Sequence, residues 1–473
     1  MLTTLGQQIY LRSGPVVKSI ADPLAGLMPP SIRFGGSSYD RWSRIAAMHP
    51  SHEQEAAAKR AELLMEVLCS ALLGSDFYKP YRHLAPRITQ QSTYETLKGL
   101  PIISRDELSQ HPERMIATKL ADVDLASTSG SSGKPVRFYL PKSRRSAEWA
   151  FMVTAWNQAC GYALGDWRAL MRGLEFKDSK PWCVSNAFSE LRLSPFHMNP
   201  ENLLLFQSLI AARSIRYLHG YPSAIDTLAR SVIAARDPHK LSALIKAVLL
   251  ISQPVTQDQR HAIAEAFPSA RIVVQYGLTE RTAFALERMD EPGVYDVNPM
   301  YSTVEILDDN DRPVAVGQRG RIIGTSHINN AAPIIRYDSG DTATVISIDG
   351  EWPSCHYVLA DIQPRREDSS VVGRDGRRAH VVALNLHSTE FSKVAEYQFV
   401  QMAPGVVKLL LVPVERSAAA VMPTVAKQFA SKLGNAFQLS FEVRDEVILP
   451  KSGKRRLVID KDEPGRRDMP GNT

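Results

Sequence analysis

Cysteine is scarce in this chain: four thiols in 473 residues, Cys69, Cys160, Cys183 and Cys355, the nearest two 23 positions apart in sequence. That spacing excludes a CxxC redox or zinc motif and a disulfide framework, so a reducing, cytoplasmic setting is expected. Long apolar runs are missing too. No stretch reaches the ~18 consecutive apolar residues of a membrane span, and the opening MLTTLGQQIYLRSG lacks the apolar core of a secretory leader. Neither membrane insertion nor secretion is expected. Charge of one sign is also in short supply: 56 basic against 50 acidic side chains leave a net +6 without a long basic block. Nucleic acid is therefore not an expected partner. Internal repeats and low-complexity tracts are absent from the sequence.

What is present is the composition of an ordinary globular protein, 44% apolar and 22% charged, long enough for two or three domains. Residues 53–73 carry apolar side chains at helical spacing and stop at Gly74. Similar patterns recur at 144–160, 202–212 and 224–235. Strand-like runs alternate with them at 247–252, 271–275, 302–307 and 321–326, which predicts an α/β architecture around a largely buried sheet. After Gly373 the character changes. A strand at 406–412, a helix at 421–433 and a strand at 441–449 predict a small separate α+β domain. The expected division is 1–373, with a helical segment over about 1–100, and 374–473.

The densest chemistry lies in STSGSSGKP, Ser127 to Pro135. Gly130 and Gly133 let the backbone turn toward an anion, Ser129, Ser131 and Ser132 add hydroxyl donors, and Lys134 adds a mobile positive charge. ATP chemistry is the leading expectation. The spacing is not that of a Walker A loop, since only two residues separate the glycines and Pro135 follows the lysine. The loop is expected to join two strands, the second at 136–140; a solvated hairpin turn is the plain alternative. Farther on, QYGLTER places Tyr276, Gly277, Thr279 and Glu280 at the carboxyl end of a buried strand, where α/β sheets put their ligand sites. Glu280 can hold Mg²⁺ there, or else serve as a helix N-terminal charge or pair with Arg281. PIIRYDSGDTATV reads as strand, turn, strand, with Asp341 able to accept hydrogen bonds from a ribose diol. LPKSGKRRLVID sets Lys451 and Lys454 around a tight turn that enters a strand; such lysines either carry charge into a cleft or stay solvated.

Taken in order, STSGSSGKP, YGLTE, RYDSGD, VVGRDG and PKSGKRR resemble the motifs of adenylate-forming enzymes, the superfamily of acyl-CoA synthetases, luciferases and peptide-synthetase adenylation domains. Within it the chain looks most like the phenylacetate-CoA ligase and CapK branch, on the strength of LPIISRDEL at 100–108, WNQACGYALG at 156–165, LSPFHM at 193–198 and YLHGYPSAIDTLA at 217–229. The resemblance runs from about residue 60 to about 460. It implies an α/β fold with a large N-terminal domain of mixed sheets and helices, acyl-CoA synthetase-like, and a small mobile α+β C-terminal domain. It implies ATP and Mg²⁺ as cofactors, a small carboxylic acid as substrate, and a thiol such as CoA or an amine as acceptor. Residue by residue, Ser129, Gly130, Ser131, Ser132, Gly133 and Lys134 match the loop over the β- and γ-phosphates. Tyr276 and Gly277 match the adenine pocket, Thr279 the α-phosphate contact, and Glu280 the Mg²⁺ ligand. Asp341 and Arg374 match the residues that reach the ribose, and Lys454 the lysine bridging carboxylate and α-phosphate. Transfer of AMP to a hydroxyl, as in coenzyme F390 synthetase, is a further possibility of the branch.

Some positions depart from the pattern. VVGRDGRRAHVVALNLH lacks the usual glycine near Ala383, in a region that helps form the pantetheine passage of CoA ligases. Asp338 replaces the common arginine of YRTGD, and Gln253 stands where the branch often has glutamate. Trp156, Trp182, Phe196, His197, His219 and Tyr221 are candidates for the acyl pocket, each with core packing or a structural role as the alternative.

Overall fold

Between Arg168 and Gly277 the short strand runs are apolar at both parities of the alternation, the pattern of a sheet covered on two faces. The computed structural model describes residues 22–48, 53–128, 136–172, 180–195, 197–352, 355–363, 370–384, 386, 388, 390–448 and 457–461. A hairpin of β1 (Val123–Ser127) and β2 (Arg137–Pro141) comes first. Next come β3 (Arg168–Met171), β4 (Trp182–Ser185), β5 (Glu190–Leu193), β6 (Tyr217–Gly220), β7 (Ala247–Ile251), β8 (Arg271–Gly277) and β9 (Phe284–Glu287). They are followed by β10 (Val294–Val297), β11 (Ser302–Leu307), β12 (Arg319–Ser326), β13 (Tyr337–Asp349) and β14 (His356–Gln363). Among the described residues these strands, β3 to β14, form one 12-stranded sheet in the order β11-β12-β13-β14-β10-β9-β8-β7-β6-β3-β5-β4. Strands β5, β3, β6, β7 and β8 run parallel to one another.

Helix α1 (Glu53–Gly74) shares a buried cluster with the β1–β2 hairpin, and long helices cover the parallel part: α2 (Arg144–Cys160), α3 (Pro200–Ala212), α4 (Pro222–Ala234) and α5 (Gln257–Ala266). On one face Met171, Leu191, Leu218, Leu250 and Val274 join Phe206, Ile210 and Leu228 of α3 and α4 in one buried cluster. On the other, Ala247, Leu249 and Val273 join Phe151, Trp156 and Ala159 of α2. Burying a side chain of the size of Phe151 contributes about 1.5–3 kcal/mol. Helix α2 stops at Gly161, whose φ of 71° closes it with a left-handed cap.

The C-terminal segment forms its own core. A hairpin of β15 (Ser370–Val372) and β16 (Arg378–His380) precedes β17 (Val394–Ala403), β18 (Val406–Pro413), α6 (Met422–Leu433), β19 (Gln438–Val443) and β20 (Val458–Asp460). The last four strands pair in the order β19-β18-β17-β20. Val371, Phe391, Tyr397, Leu409 and Phe429 share one cluster. Arg137 reaches across from the N-terminal part, its Nη2 donating to the Val394 carbonyl at 2.6 Å.

Two local expectations are corrected. The strand expected over 441–449 instead spans Gln438–Val443, because its partner β18 ends at Pro413 and the last pair in register is Leu411 with Val443. DSGD does not turn between two strands. It lies inside the single strand β13, where the register jumps from Ile323 opposite Asp338 to Arg321 opposite Thr342, and Gly340 takes a φ of 75°. The turn-forming residues make a bulge.

Buried His327 is fixed as a neutral ring, with Nδ1 donating to the Met300 carbonyl at 3.2 Å and Nε2 accepting from Thr303 at 2.8 Å. Burial, the largest cause, lowers its pKa to about 4 from 6.5. The folded state therefore resists a proton that the unfolded state accepts, so the stabilisation is complete above pH 6.5 and is lost as pH falls from 6.5 toward 4. Urea unfolding should lose about 1 kcal/mol per pH unit for this residue across that window, and the dependence should flatten in His327→Gln; an unchanged slope would refute it.

Candidate active site

Strand β8 carries Gln275, Tyr276 and Gly277 to the carboxyl end of the parallel strands. No helix begins there. The chain turns through Leu278–Ala283, closed by the Arg281 amide donating to the Leu278 carbonyl at 3.1 Å, and returns as antiparallel β9 with Phe284 opposite Gly277. Arg281 sits at a φ of 65°, an uncommon conformation for a residue with a Cβ. The turn packs so closely on β12 that a Cβ on Gly324 would lie 2.1 Å from the Thr282 carbonyl oxygen. Only glycine fits at that position.

Glu280 is only 4% exposed, and its Oε1 accepts a hydrogen bond from the Tyr337 hydroxyl at 2.8 Å. It is thus neither a helix N-terminal charge nor the partner of Arg281, which instead forms an ion pair with Glu148 of α2. Burial, reinforced by the Glu280 carboxylate, pushes the Tyr337 phenol well above its usual range, with Arg105 pulling the other way. Tyr337 therefore stays protonated and acts as a donor.

The bulge in β13 sets Asp341 beside Tyr276, whose hydroxyl donates to Asp341 Oδ2 at 2.8 Å. Burial and then Asp341 raise the Tyr276 pKa well above its ordinary value. The bulge is held from within: Asp341 N–H donates to Ser339 Oγ at 3.0 Å, Ser339 donates to the Ile322 carbonyl at 2.7 Å, and Gly340 N–H donates to Asp338 Oδ1 at 2.8 Å. Asp338 also pairs with Arg321 across the strands at 2.6 Å. A basic group is thus present near position 338, supplied by the neighbouring strand.

Tyr276, Gly277, Thr279, Glu280 and Asp341 accordingly meet at one end of the sheet. Gly277 is exposed and Thr279 half-buried, so this end is open to solvent. Arg374 has a different setting. It sits in the turn between β15 and β16, its amide donating to the Ala436 carbonyl at 3.2 Å and its Nη2 to Gln438 at 3.0 Å, both in the C-terminal segment. Ser129, Gly130, Ser131, Ser132, Gly133, Lys134, Lys451 and Lys454 lie outside the described residues, although β1 and β2 pair on either side of the loop that holds the first six.

Sequence reasoning overlooked Tyr337 and Arg105. Tyr337 stood in a quoted motif, but its partner is 57 residues away, and strand parity alone does not reveal a cross-sheet donor. Arg105 opens a helix capped by Ser104 and Glu107 in a reciprocal capping box. That helix is tied to β13 by the Asp338 amide donating to Ile103 and the Ile103 amide donating to Arg336, each at 2.9 Å. The Nη2 of Arg105 is buried without a partner among the described residues.

Of the acyl-pocket candidates, Trp156 and His219 are buried edge to face against one another, ring centroids 4.9 Å apart. Tyr221 packs into the core near α4, Trp182 is half-buried on β4, and His197 bonds Ser194 at 2.8 Å. Phe196 lies outside the described residues. Gln253 accepts from the Ser223 hydroxyl at 3.0 Å. Among the described residues no three His, Cys, Asp or Glu gather in a metal-holding group, and no helix is long and apolar enough to cross a membrane. A Mg²⁺ ion commonly takes one or two carboxylates and completes its shell with substrate phosphates and water. Glu280 alone is compatible with that demand.

The profile of the AMP-binding enzyme family matches residues 194–328, the stretch that builds β6 to β12 and the Glu280 turn. The crystal structure of a 2-hydroxyisobutyryl-CoA ligase in complex with 2-HIB-AMP and CoA, in the thioesterification state, shares the fold with a TM-score of 0.53 at 18% identity, over 88% of this chain and 91% of that one. An open conformation of the same ligase gives 0.50 at 17% identity, over 87% and 92%. Over residues 194–328 the chain is thus similar to AMP-binding enzymes, which form adenylates, and its fold is that of this CoA ligase. It is also similar to Protein CapK of Staphylococcus aureus, 22% identical over 401 residues that cover 82% of this chain and 85% of CapK.

Tyr337→Phe removes the hydroxyl donor from a buried carboxylate. It should destabilise the protein by about 1–3 kcal/mol, measured by urea unfolding at neutral pH. An unchanged midpoint would mean that Glu280 is satisfied without it.

Proposed function

We propose that this protein activates a small carboxylic acid with ATP, forming an acyl adenylate and pyrophosphate, and then passes the acyl group to a thiol, CoA. The convergence of Tyr276, Thr279, Glu280 and Asp341 at the carboxyl end of parallel strands carries this reading. Each occupies the position that the superfamily's motif assigns to nucleotide contact.

In the first step a carboxylate oxygen of the acid attacks the α-phosphorus of ATP, the bond to the bridging oxygen breaks, and pyrophosphate leaves. Two anions must approach, so the site has to offset their repulsion as charge redistributes. Lys454 would do so at the carboxylate and α-phosphate, Thr279 at an α-phosphate oxygen, and Ser129 to Lys134 around the departing phosphates. Glu280 would hold Mg²⁺, which when bound neutralises phosphate charge. Tyr276 and Gly277 would border the adenine, and Asp341 with Arg374 would reach the ribose hydroxyls. The Tyr276 hydroxyl holds Oδ2 of Asp341 and so fixes the carboxylate's orientation, which favours a pre-set ribose contact. In the second step the thiol sulfur attacks the acyl carbon and AMP leaves. Lys454 must withdraw first, and a C-terminal unit whose own core takes in Val371 supports a hinged movement of that unit, with Arg374 on it, against the N-terminal part.

The altered segment after Arg374 favours a second reading, in which an amine takes the place of the thiol; AMP transfer to a hydroxyl is a third outcome of the same assay. Pyrophosphate release should be followed with a panel of aryl and alkyl acids, with and without CoA, and the product weighed by mass spectrometry. An acyl-CoA product confirms the thiol reading, an adenylate relieved only by amine replaces it, and AMP retained on a hydroxyl product replaces both. Lys454→Ala should lower adenylate formation by about 100-fold or more while ATP still binds; full activity would remove Lys454 from the chemistry.

A further inference from the structure

Beneath α2 lies a group of charged residues that this chemistry does not use. Parallel register sets Arg168 of β3 beside Glu190 of β5, and Leu170 beside Arg192. Buried Glu190 receives an ion pair from Arg168 and a second from Arg192 at 2.7 Å. Arg145, in the first turn of α2, lies over the Phe188 ring at 5.6 Å, and Arg192 approaches the same ring at 5.7 Å. Arg172 follows directly on β3 and acts electrostatically on both Glu190 and His219. Four guanidinium groups thus surround one buried carboxylate. Glu148 is engaged by Arg281, Asp22 is hydrogen-bonded to Ser185 and Asn186, and among the described residues no carboxylate forms an ion pair with Arg145 or Arg172.

Arg145 and Arg192 are half-buried and Arg172 is exposed, so the positive charge in excess of Glu190 lies where an anion from solvent can meet it. Unsatisfied polar atoms point to the same layer. His219 is 1% exposed with neither ring nitrogen bonded, and Arg168 Nε and Gln275 Oε1 are also buried without partners. Register puts all three on one face: His219 beside Leu170 and Leu249, and Gln275 beside Ile251. Buried polar atoms in native proteins nearly always find a partner, whether protein, water or ligand.

Helix α2 spans from this group to the adenylation site. Arg145 and Glu148 stand three residues apart on one face of α2. Glu148 holds Arg281, the residue after Glu280, while Arg145 overlies the arginine group. From β8 to β3 is three strand spacings, about 14 Å at ~4.8 Å each.

We infer that the acid activated here carries a second anionic group, received by Arg145, Arg172 and Arg192 at the far side of α2, with His219 and Gln275 meeting polar atoms between. The inference rests on the proposed adenylation and names its substrate class: elongated acids anionic at both ends. Glu190 serves to position Arg168 and Arg192.

The test compares α,ω-dicarboxylates from adipate to dodecanedioate with the monocarboxylates of equal length, in the pyrophosphate assay on the full chain. The wild type should prefer a diacid. In Arg145→Gln and in exposed Arg172→Gln the ratio of kcat/KM for diacid over monoacid should fall about 10- to 100-fold, the loss expected for a charge-assisted hydrogen bond. General damage to the fold lowers both rates and leaves the ratio alone. A ratio unchanged in both variants overturns the inference, as does equal use of monoacids by the wild type. A rise in the KM for CoA instead would assign the arginines to the acceptor's phosphates and also overturn it. If no acid drives pyrophosphate release, the ligase reading fails separately. Calorimetry of suberate on the wild type and Arg145→Gln still decides this one: binding lost in the variant supports it, and no wild-type binding ends it.

Discussion

A buried carboxylate needs a donor, and the site is arranged around meeting that need for Glu280. Tyr337 supplies the hydrogen bond from the first residue of β13. To reach it, the turn after β8 must lie flat on β12, which is why Gly324 has no room for a side chain. The same strand then bulges at Ser339 and Gly340 and brings Asp341 against Tyr276. Two tyrosine–carboxylate pairs therefore tie β8 to β13, although three other strands lie between these two along the sheet.

Helix α2 is the second organising element. From its middle onward it closes one face of the parallel strands through Phe151 and Trp156. Its first turns carry Arg145 and Glu148, which face the arginine group and the Glu280 turn respectively. One helix thus divides its length between stabilising the sheet and covering the ground beside the candidate active site. The helix follows β2 directly, so the hairpin that frames the glycine-rich loop and the helix over the acid's proposed path are consecutive in the chain.

The C-terminal segment follows a separate logic. Its sheet and helix bury their own cluster from Val371 to Leu457, so it can hold its shape while changing neighbours. Arg374 packs against Gly405 so closely that a Cβ there would lie 2.0 Å from the arginine Cγ. The arginine is thus part of this segment's own surface.

The sequence by itself determined the elements and the order of the motifs. Apolar runs of helical and strand period located α1, α2, β7, β8, β11 and β18 to within a residue or two, because those segments are buried on the faces their patterns describe. It also singled out Tyr276, Glu280 and Asp341, since residues of these types at strand ends are visible in a linear motif. Tertiary structure alone decided what they touch. Glu280 was open between Arg281 and a helix terminus until the fold gave it Tyr337, and DSGD resembled a turn because local chemistry cannot distinguish a turn from a bulge inside a paired strand. The four arginines were invisible as a group: Arg145, Arg168, Arg172 and Arg192 belong to one helix and to the strands β3 and β5, and no sequence pattern marks their meeting. Parallel register and the packing of α2 brought them around Glu190, and a long-range juxtaposition of charge is a property of the folded chain.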